Sequence, residues 1–92
     1  MIQGFRDRDT ERIFRGQFVP AFQGFALSAQ RRLEMLNRAN SLAELRVSNG
    51  NRLESLSGHR DGQYSIRINR QWRICFRWTD DGPHDVEIVD YH

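Results

Sequence analysis

Lysine is absent from this 92-residue chain, and all fourteen of its fixed positive charges are arginine. Cysteine is nearly absent as well. Cys75 stands alone, which excludes an internal disulfide and a cysteine-rich metal site, and its place between Ile74 and Phe76 suits an inert packing residue. No apolar run approaches the roughly 20 residues needed to cross a bilayer, so no membrane partner is expected. The opening Met1–Arg6 lacks the apolar stretch of a signal peptide, and cytoplasmic residence is expected. The three histidines have no zinc-ligand spacing, and Asp80-Asp81 is only an acidic pair. Gly58 and Gly62 have neither the spacing nor the lysine of a phosphate-cradling loop. No metal and no cofactor is therefore expected, and any chemistry the chain performs should be metal-independent.

What is present is arginine balanced by acid. Fourteen arginines face twelve carboxylates, for a net charge of +2, so this is not a basic tail. Nucleic-acid binding would require the charge to be segregated onto one face. Arginine suits that task, because its planar fork makes bidentate contacts to phosphate. Apolar residues make up 38% of the chain, with two tryptophans and six phenylalanines concentrating the volume. Residues 1–92 are expected to form one domain, since a second core would have too little chain to bury.

The order of residues divides the chain into a helical front and a strand-rich back. Ile2–Phe5 reads as a short opening strand. Asp7 or Asp9 can cap a helix that buries Ile13 and Phe14 and stops near Gly16. Gln17–Phe22, with Pro20, reads as a linker. Ala21–Asn40 carries the strongest helical pattern, with Phe22, Phe25 or Ala26, Ala29, Leu33 and Leu36 at three- and four-residue spacing. Ser41 and Glu44 fit a capping box for a further turn, and Ser48-Asn49-Gly50-Asn51 reads as a turn. Ser57–Gly62 should be an exposed loop, with Glu54 and His59 flanking the approach to the sheet.

Behind that loop, Tyr64–Asn69 alternates apolar and polar residues. Trp72, Ile74, Phe76 and Trp78 share one strand face, and Arg73, Cys75 and Arg77 the other. Asn69-Arg70-Gln71 and Asp80-Asp81-Gly82-Pro83 are turns, and Val86–Tyr91 is a final strand. The expected fold is α+β, with N-terminal helices packed on the apolar face of a mainly antiparallel sheet. The open face would bring Arg67 toward Arg73 or Arg77.

That face offers a phosphate site. A rigid strand can aim Arg73 at an RNA phosphate, where a fixed cation stabilises the charge that grows on the phosphorane. The alternative for Arg73 is a cross-strand ion pair with Glu87 or Asp90. On an ideal strand Asp90 and His92 point to one face and Tyr91 to the other. Asp90 and His92 are candidates for proton transfer where they meet Arg73. Tyr91 can stack on a base, orient a phosphate, or be partly buried at the sheet edge. Trp72 and Trp78 read first as packing residues.

In their order, these segments resemble the HigB killer toxins of the RelE/ParE superfamily. The resemblance is carried by Met1–Phe5, Asn51–Gly58, Tyr64–Asn69, Trp72-Arg73-Ile74-Cys75-Phe76 and Val89-Asp90-Tyr91-His92. It implies a RelE-like toxin of a bacterial toxin–antitoxin pair that cleaves messenger RNA in the ribosomal A site. Arg73, Asp90 and His92 would be its catalytic residues, with Tyr91, Glu54 and Arg67 binding or supporting the substrate. Some relatives carry histidine where this chain has Glu54. The implied reaction is transesterification by the RNA's own 2′-hydroxyl, leaving a cyclic phosphate and a new 5′-hydroxyl. Implied partners are the 70S ribosome with its 16S ribosomal RNA, messenger RNA and a HigA-type helix-turn-helix antitoxin. Operator DNA would be contacted mainly through that antitoxin. Two alternatives stay open: a nonenzymatic ParE-like inhibitor of DNA gyrase, and a weakened toxin kept as an antitoxin-bound co-repressor.

Overall fold

The computed structural model describes residues 1–47 and 50–91. The expected turn at Ser48 and Asn49, and the expected catalytic position His92, lie outside the described residues.

Helix α1 spans Arg8–Phe14, and Asp7 caps it by accepting the backbone N–H of Thr10 at 3.1 Å. Ile13 is buried, Phe14 is half-buried against Phe5, and the helix ends before Gly16 as expected. Thr10, itself buried, joins this helix to the sheet. Its hydroxyl donates to Asp7 Oδ1 at 2.6 Å and accepts the backbone N–H of Ile88 at 3.0 Å. Thr10→Val keeps the shape but leaves the Ile88 donor unsatisfied. It should therefore cost about 1–3 kcal/mol in a urea melt, whereas Thr10→Ser should recover most of that loss.

The linker expected around Pro20 is instead a 3₁₀ segment, Pro20–Phe25, and helix α2 starts only at Ala26 and runs to Arg38. The later start has a physical cause. Phe22 and Phe25 pack on Trp72, with ring centroids 5.8 and 4.9 Å away, and Phe25 leaves helical backbone geometry at φ −142°. Along α2, Ala29, Leu33 and Leu36 are completely buried, the stripe their spacing predicts. Helix α3, Leu42–Val47, is capped by Ser41, whose hydroxyl accepts the Glu44 N–H at 3.3 Å. The Glu44 carboxylate reaches back one residue further than expected, to the N–H of Asn40.

Four antiparallel strands follow in sequential order: β1 (Glu54–Ser55), β2 (Tyr64–Arg67), β3 (Trp72–Thr79) and β4 (Gly82–Asp90). The opening segment adds to the outer edge of β4 through a parallel bridge between Phe5 and Val86. Leu33 and Leu36 meet Ile66, Ile74, Phe76, Val86 and Ile88 in one core cluster. The expected α+β architecture is observed, with the helices on the apolar face of an antiparallel sheet. Trp72 and Trp78 pack against this core, as does Tyr64, which stacks on Phe76 at 6.2 Å.

The last strand begins earlier than Val86, because Thr79 pairs directly with Gly82 across a two-residue loop. Its register then shifts: His84 lies opposite Arg77, yet Glu87 lies opposite Cys75. The extra residue is absorbed at Asp85, which adopts φ +52°. This bulge carries Glu87 onto the open face of the sheet. No helix among the described residues is long and apolar enough to cross a membrane.

Candidate functional site

The register lays out the open face as rows of side chains. Glu54, Ser65, Cys75 and Glu87 form one row across all four strands. Arg67, Arg73 and Val89 form the next. Directly opposed residues on neighbouring strands share a face, so Arg73 lies within the second row and next to the first, on the inner strand β3.

Arg73 is almost entirely out of water, with its side chain only 9% exposed. Its Nε donates to Ser65 Oγ at 2.8 Å, and its Nη2 donates to the carbonyls of Arg52 at 2.6 Å and Ser65 at 3.5 Å. The remaining terminal nitrogen, Nη1, lies 3.7 Å from Glu54 Oε1. Above the guanidinium is the ring of Tyr91, whose centroid is 5.4 Å from Cζ. Arg52 reaches its carbonyl over from a left-handed backbone conformation, φ +47°, which is uncommon for a side chain of this size. An arginine held this way keeps its orientation without a ligand.

Glu54, Ser55, Leu56, Ser57, Arg60 and Tyr91 line a cleft of 270 Å³ beside this group. Arg60 is held at its edge: Nη1 donates to Glu87 Oε1 at 2.6 Å and to Gln63 Oε1 at 3.1 Å. The hydrogen bond to Glu87 raises the pKa of this guanidinium further above its ordinary value. Cys75 lies fully buried in the row below. Burial pushes its thiol pKa up, with Arg60 pulling the other way, which suits a packing residue.

The structure therefore joins some of the residues singled out from sequence and separates others. Arg73, Glu54 and Tyr91 come together. The ion pair considered for Arg73 with Glu87 or Asp90 is not what forms: Glu87 is taken by Arg60, and Arg73 pairs with Glu54. Asp90 is in register with Trp72, one position off the Arg73 row, and accepts Gln71 Nε2 at 3.0 Å. Arg67 stands directly opposite Arg73, but its Nε donates to the carbonyl of Asn69 at 3.1 Å in the hairpin. Among the described residues, no group of three or more histidine, cysteine or carboxylate side chains is placed to hold a metal ion.

Four contributors were not singled out as site residues: Ser65, Arg52, Arg60 and Glu87. Strand alternation already put Ser65 on the Arg73 face, so its role could have been read. Arg60 comes from a loop, and its approach to the sheet depends on the 3₁₀ segment Gly58–Arg60.

Comparison with known proteins agrees with this architecture. The family described as the RelE-like toxin of type II toxin-antitoxin system HigB matches residues 3–92. Toxin HigB-1 of Vibrio cholerae serotype O1 is 38% identical over 84 residues, covering 87% of this chain and 86% of that protein. Endoribonuclease HigB of Proteus vulgaris is 31% identical over 61 residues, covering 66% and 65% respectively.

Proposed function

Because this chain belongs to the HigB-like toxin family of the RelE/ParE superfamily, we propose that it is a ribosome-dependent endoribonuclease that cuts message in the ribosomal A site. The observation that carries this reading is Arg73, a buried guanidinium fixed on a rigid strand beside an open cleft. The relative named as an endoribonuclease supports the same class of chemistry.

In this reading the 2′-hydroxyl of the message attacks the adjoining phosphorus. A bond from O2′ to phosphorus forms, the bond to O5′ breaks, and a cyclic phosphate and a 5′-hydroxyl result. Negative charge accumulates on the phosphorane oxygens. Arg73 meets that charge with no reorganisation, since Ser65 and Arg52 already hold its fork. The proton transfers are assigned to Asp90 and His92, on either side of Tyr91 in the chain, on family resemblance alone, since the register sets Asp90 opposite Trp72 and not beside Arg73. Tyr91 supports the RNA beside Arg73, and Arg67 borders the site from β2.

Glu54 occupies Nη1 of Arg73 when no RNA is bound and yields it to a phosphate oxygen. Its side chain is 52% exposed, and such a pair contributes about 0–1 kcal/mol. Glu54→Gln should therefore lower KM for message by up to about fivefold with kcat held. A fall in kcat at unchanged KM would instead make Glu54 a proton carrier.

The partners follow from the same reading: the ribosome with its 16S ribosomal RNA, and a HigA-type helix-turn-helix antitoxin through which operator DNA is bound. The deciding test is message cleavage on purified translating ribosomes beside a ribosome-free reaction. Cuts that need the ribosome are expected. Intact message with DNA damage in cells would replace this reading with gyrase inhibition, and co-repression without either would make the chain a weakened toxin.

A further inference from the structure

A second cleft, of 260 Å³, opens on the same face of the sheet and is lined by Arg6, His59, Arg60, Gln63 and Arg77. Arg60 lines both clefts, so the two share one wall. Arg73 and Arg77 stand four residues apart on β3, about 13 Å at the rise of an extended strand, and alternation gives them one face.

Glu87 organises the near side. Its Oε1 accepts Arg60 Nη1 at 2.6 Å and lies 3.9 Å from Arg6 Nε. Its side chain is 15% exposed and that of Arg6 is 56% exposed, so the carboxylate forms the floor while the arginine reaches solvent. On the far side, Arg77 Nε lies 3.6 Å from Asp85 Oδ2, with both side chains about half exposed. An exposed pair of this kind contributes little and releases its arginine to a bidentate anion. Three guanidinium groups thus face two carboxylates, leaving one positive charge before His59 is counted.

The loop above passes close to Arg77. Gly62 has φ +87°, and a Cβ added there would come within 2.9 Å of Arg77 Nη1. Glycine lets the loop close down on the guanidinium.

The geometry points to a second phosphate subsite, in which Arg60, Arg77 and Arg6 bind another backbone phosphate, further along the RNA strand engaged at Arg73. It rests on the endoribonuclease reading only for the identity of that strand. Message and ribosomal RNA share the phosphate chemistry, so the test separates them. Binding is measured for a single-stranded 2′-O-methyl oligoribonucleotide, which cannot attack its own phosphate, and for ribosomes free of message.

Arg77→Ala with Arg6→Ala should weaken binding roughly tenfold or more. It should also flatten the slope of log affinity against log salt by about 0.7 for each lost single-strand contact. Asp85→Asn, which tolerates the same positive φ, should act oppositely and tighten binding severalfold. A loss with the oligonucleotide assigns the subsite to message, and a loss confined to ribosomes assigns it to ribosomal RNA. Unchanged affinity and salt slope in both arms, with the folded state verified by circular dichroism, overturns the subsite. Message cleavage by the unmutated chain is scored separately, so a failure of the nuclease reading is seen apart from a failure of the subsite.

Discussion

Replacing Arg73 by alanine is expected to lower message cleavage on translating ribosomes by about 10²–10³-fold, the loss typical when one preorganised donor to a transition-state anion is removed. The size follows from where this guanidinium sits. An exposed arginine would be solvated in the ground state, and ordering it would consume part of what it returns to the transition state. Arg73 is buried and already oriented by Ser65 and Arg52, so that cost is met in folding. Arg73→Lys should recover less than about tenfold of the lost rate, because an ammonium group cannot reach Ser65, the Arg52 carbonyl and a phosphate together. The same geometry carries a stability penalty. Alanine leaves the Arg52 carbonyl without its donor, which should cost about 1–3 kcal/mol. Thermal denaturation of each variant must therefore accompany the rate assay. A folded Arg73→Ala protein that cleaves within threefold of wild type would remove Arg73 from the chemistry.

The candidate site was only partly legible because its contacts are long-range. Alternation along Trp72–Trp78 placed Arg73 on the open face, and the three- and four-residue spacing of Ala29, Leu33 and Leu36 placed the helix that covers the other face. Both patterns are local. The partner of Arg73 is not. Glu87 reaches the open face through the bulge at Asp85, but Arg60 arrives from a loop and takes it at 2.6 Å. Glu54 then becomes the partner because β1, two residues long, pairs with β2 and sets Glu54 opposite Ser65. A two-residue strand has no periodicity to read, and its existence depends on the neighbour it pairs with. The 3₁₀ segment at Pro20–Phe25 was hidden for the same reason: Phe22 and Phe25 fit a helical pattern, yet Trp72, about fifty residues away in sequence, draws them elsewhere.

Asn51 shows how closely the site and the fold depend on one joint. It is completely buried, and its side chain works in both directions. Nδ2 donates to the carbonyl of Leu45 at 3.0 Å and to Met35 Sδ at 3.1 Å, while Oδ1 accepts Arg32 Nη1 at 2.5 Å. Its backbone carbonyl accepts the Arg67 N–H at 2.6 Å. One residue thus ties α2, α3 and β2 together, and the next residue, Arg52, delivers the carbonyl that anchors Arg73. Asn51→Ala strands the Leu45 carbonyl in the interior and removes an acceptor from the half-buried Arg32 guanidinium. A loss of about 3 kcal/mol is expected, which in a chain of this size lowers Tm by about 12–24 °C. Asn51→Asp separates the two halves of the network. A carboxylate still accepts from Arg32 but turns an acceptor toward the Leu45 carbonyl, so this variant should also be destabilised at neutral pH. Acid should narrow its deficit relative to wild type, because a protonated carboxyl regains a donor. Cleavage by Asn51→Ala, measured below its Tm, should fall as the Arg52 carbonyl loosens, even though Asn51 is itself completely buried. A melting temperature within a few degrees of wild type would refute the joint, and full activity in a destabilised variant would detach it from Arg73.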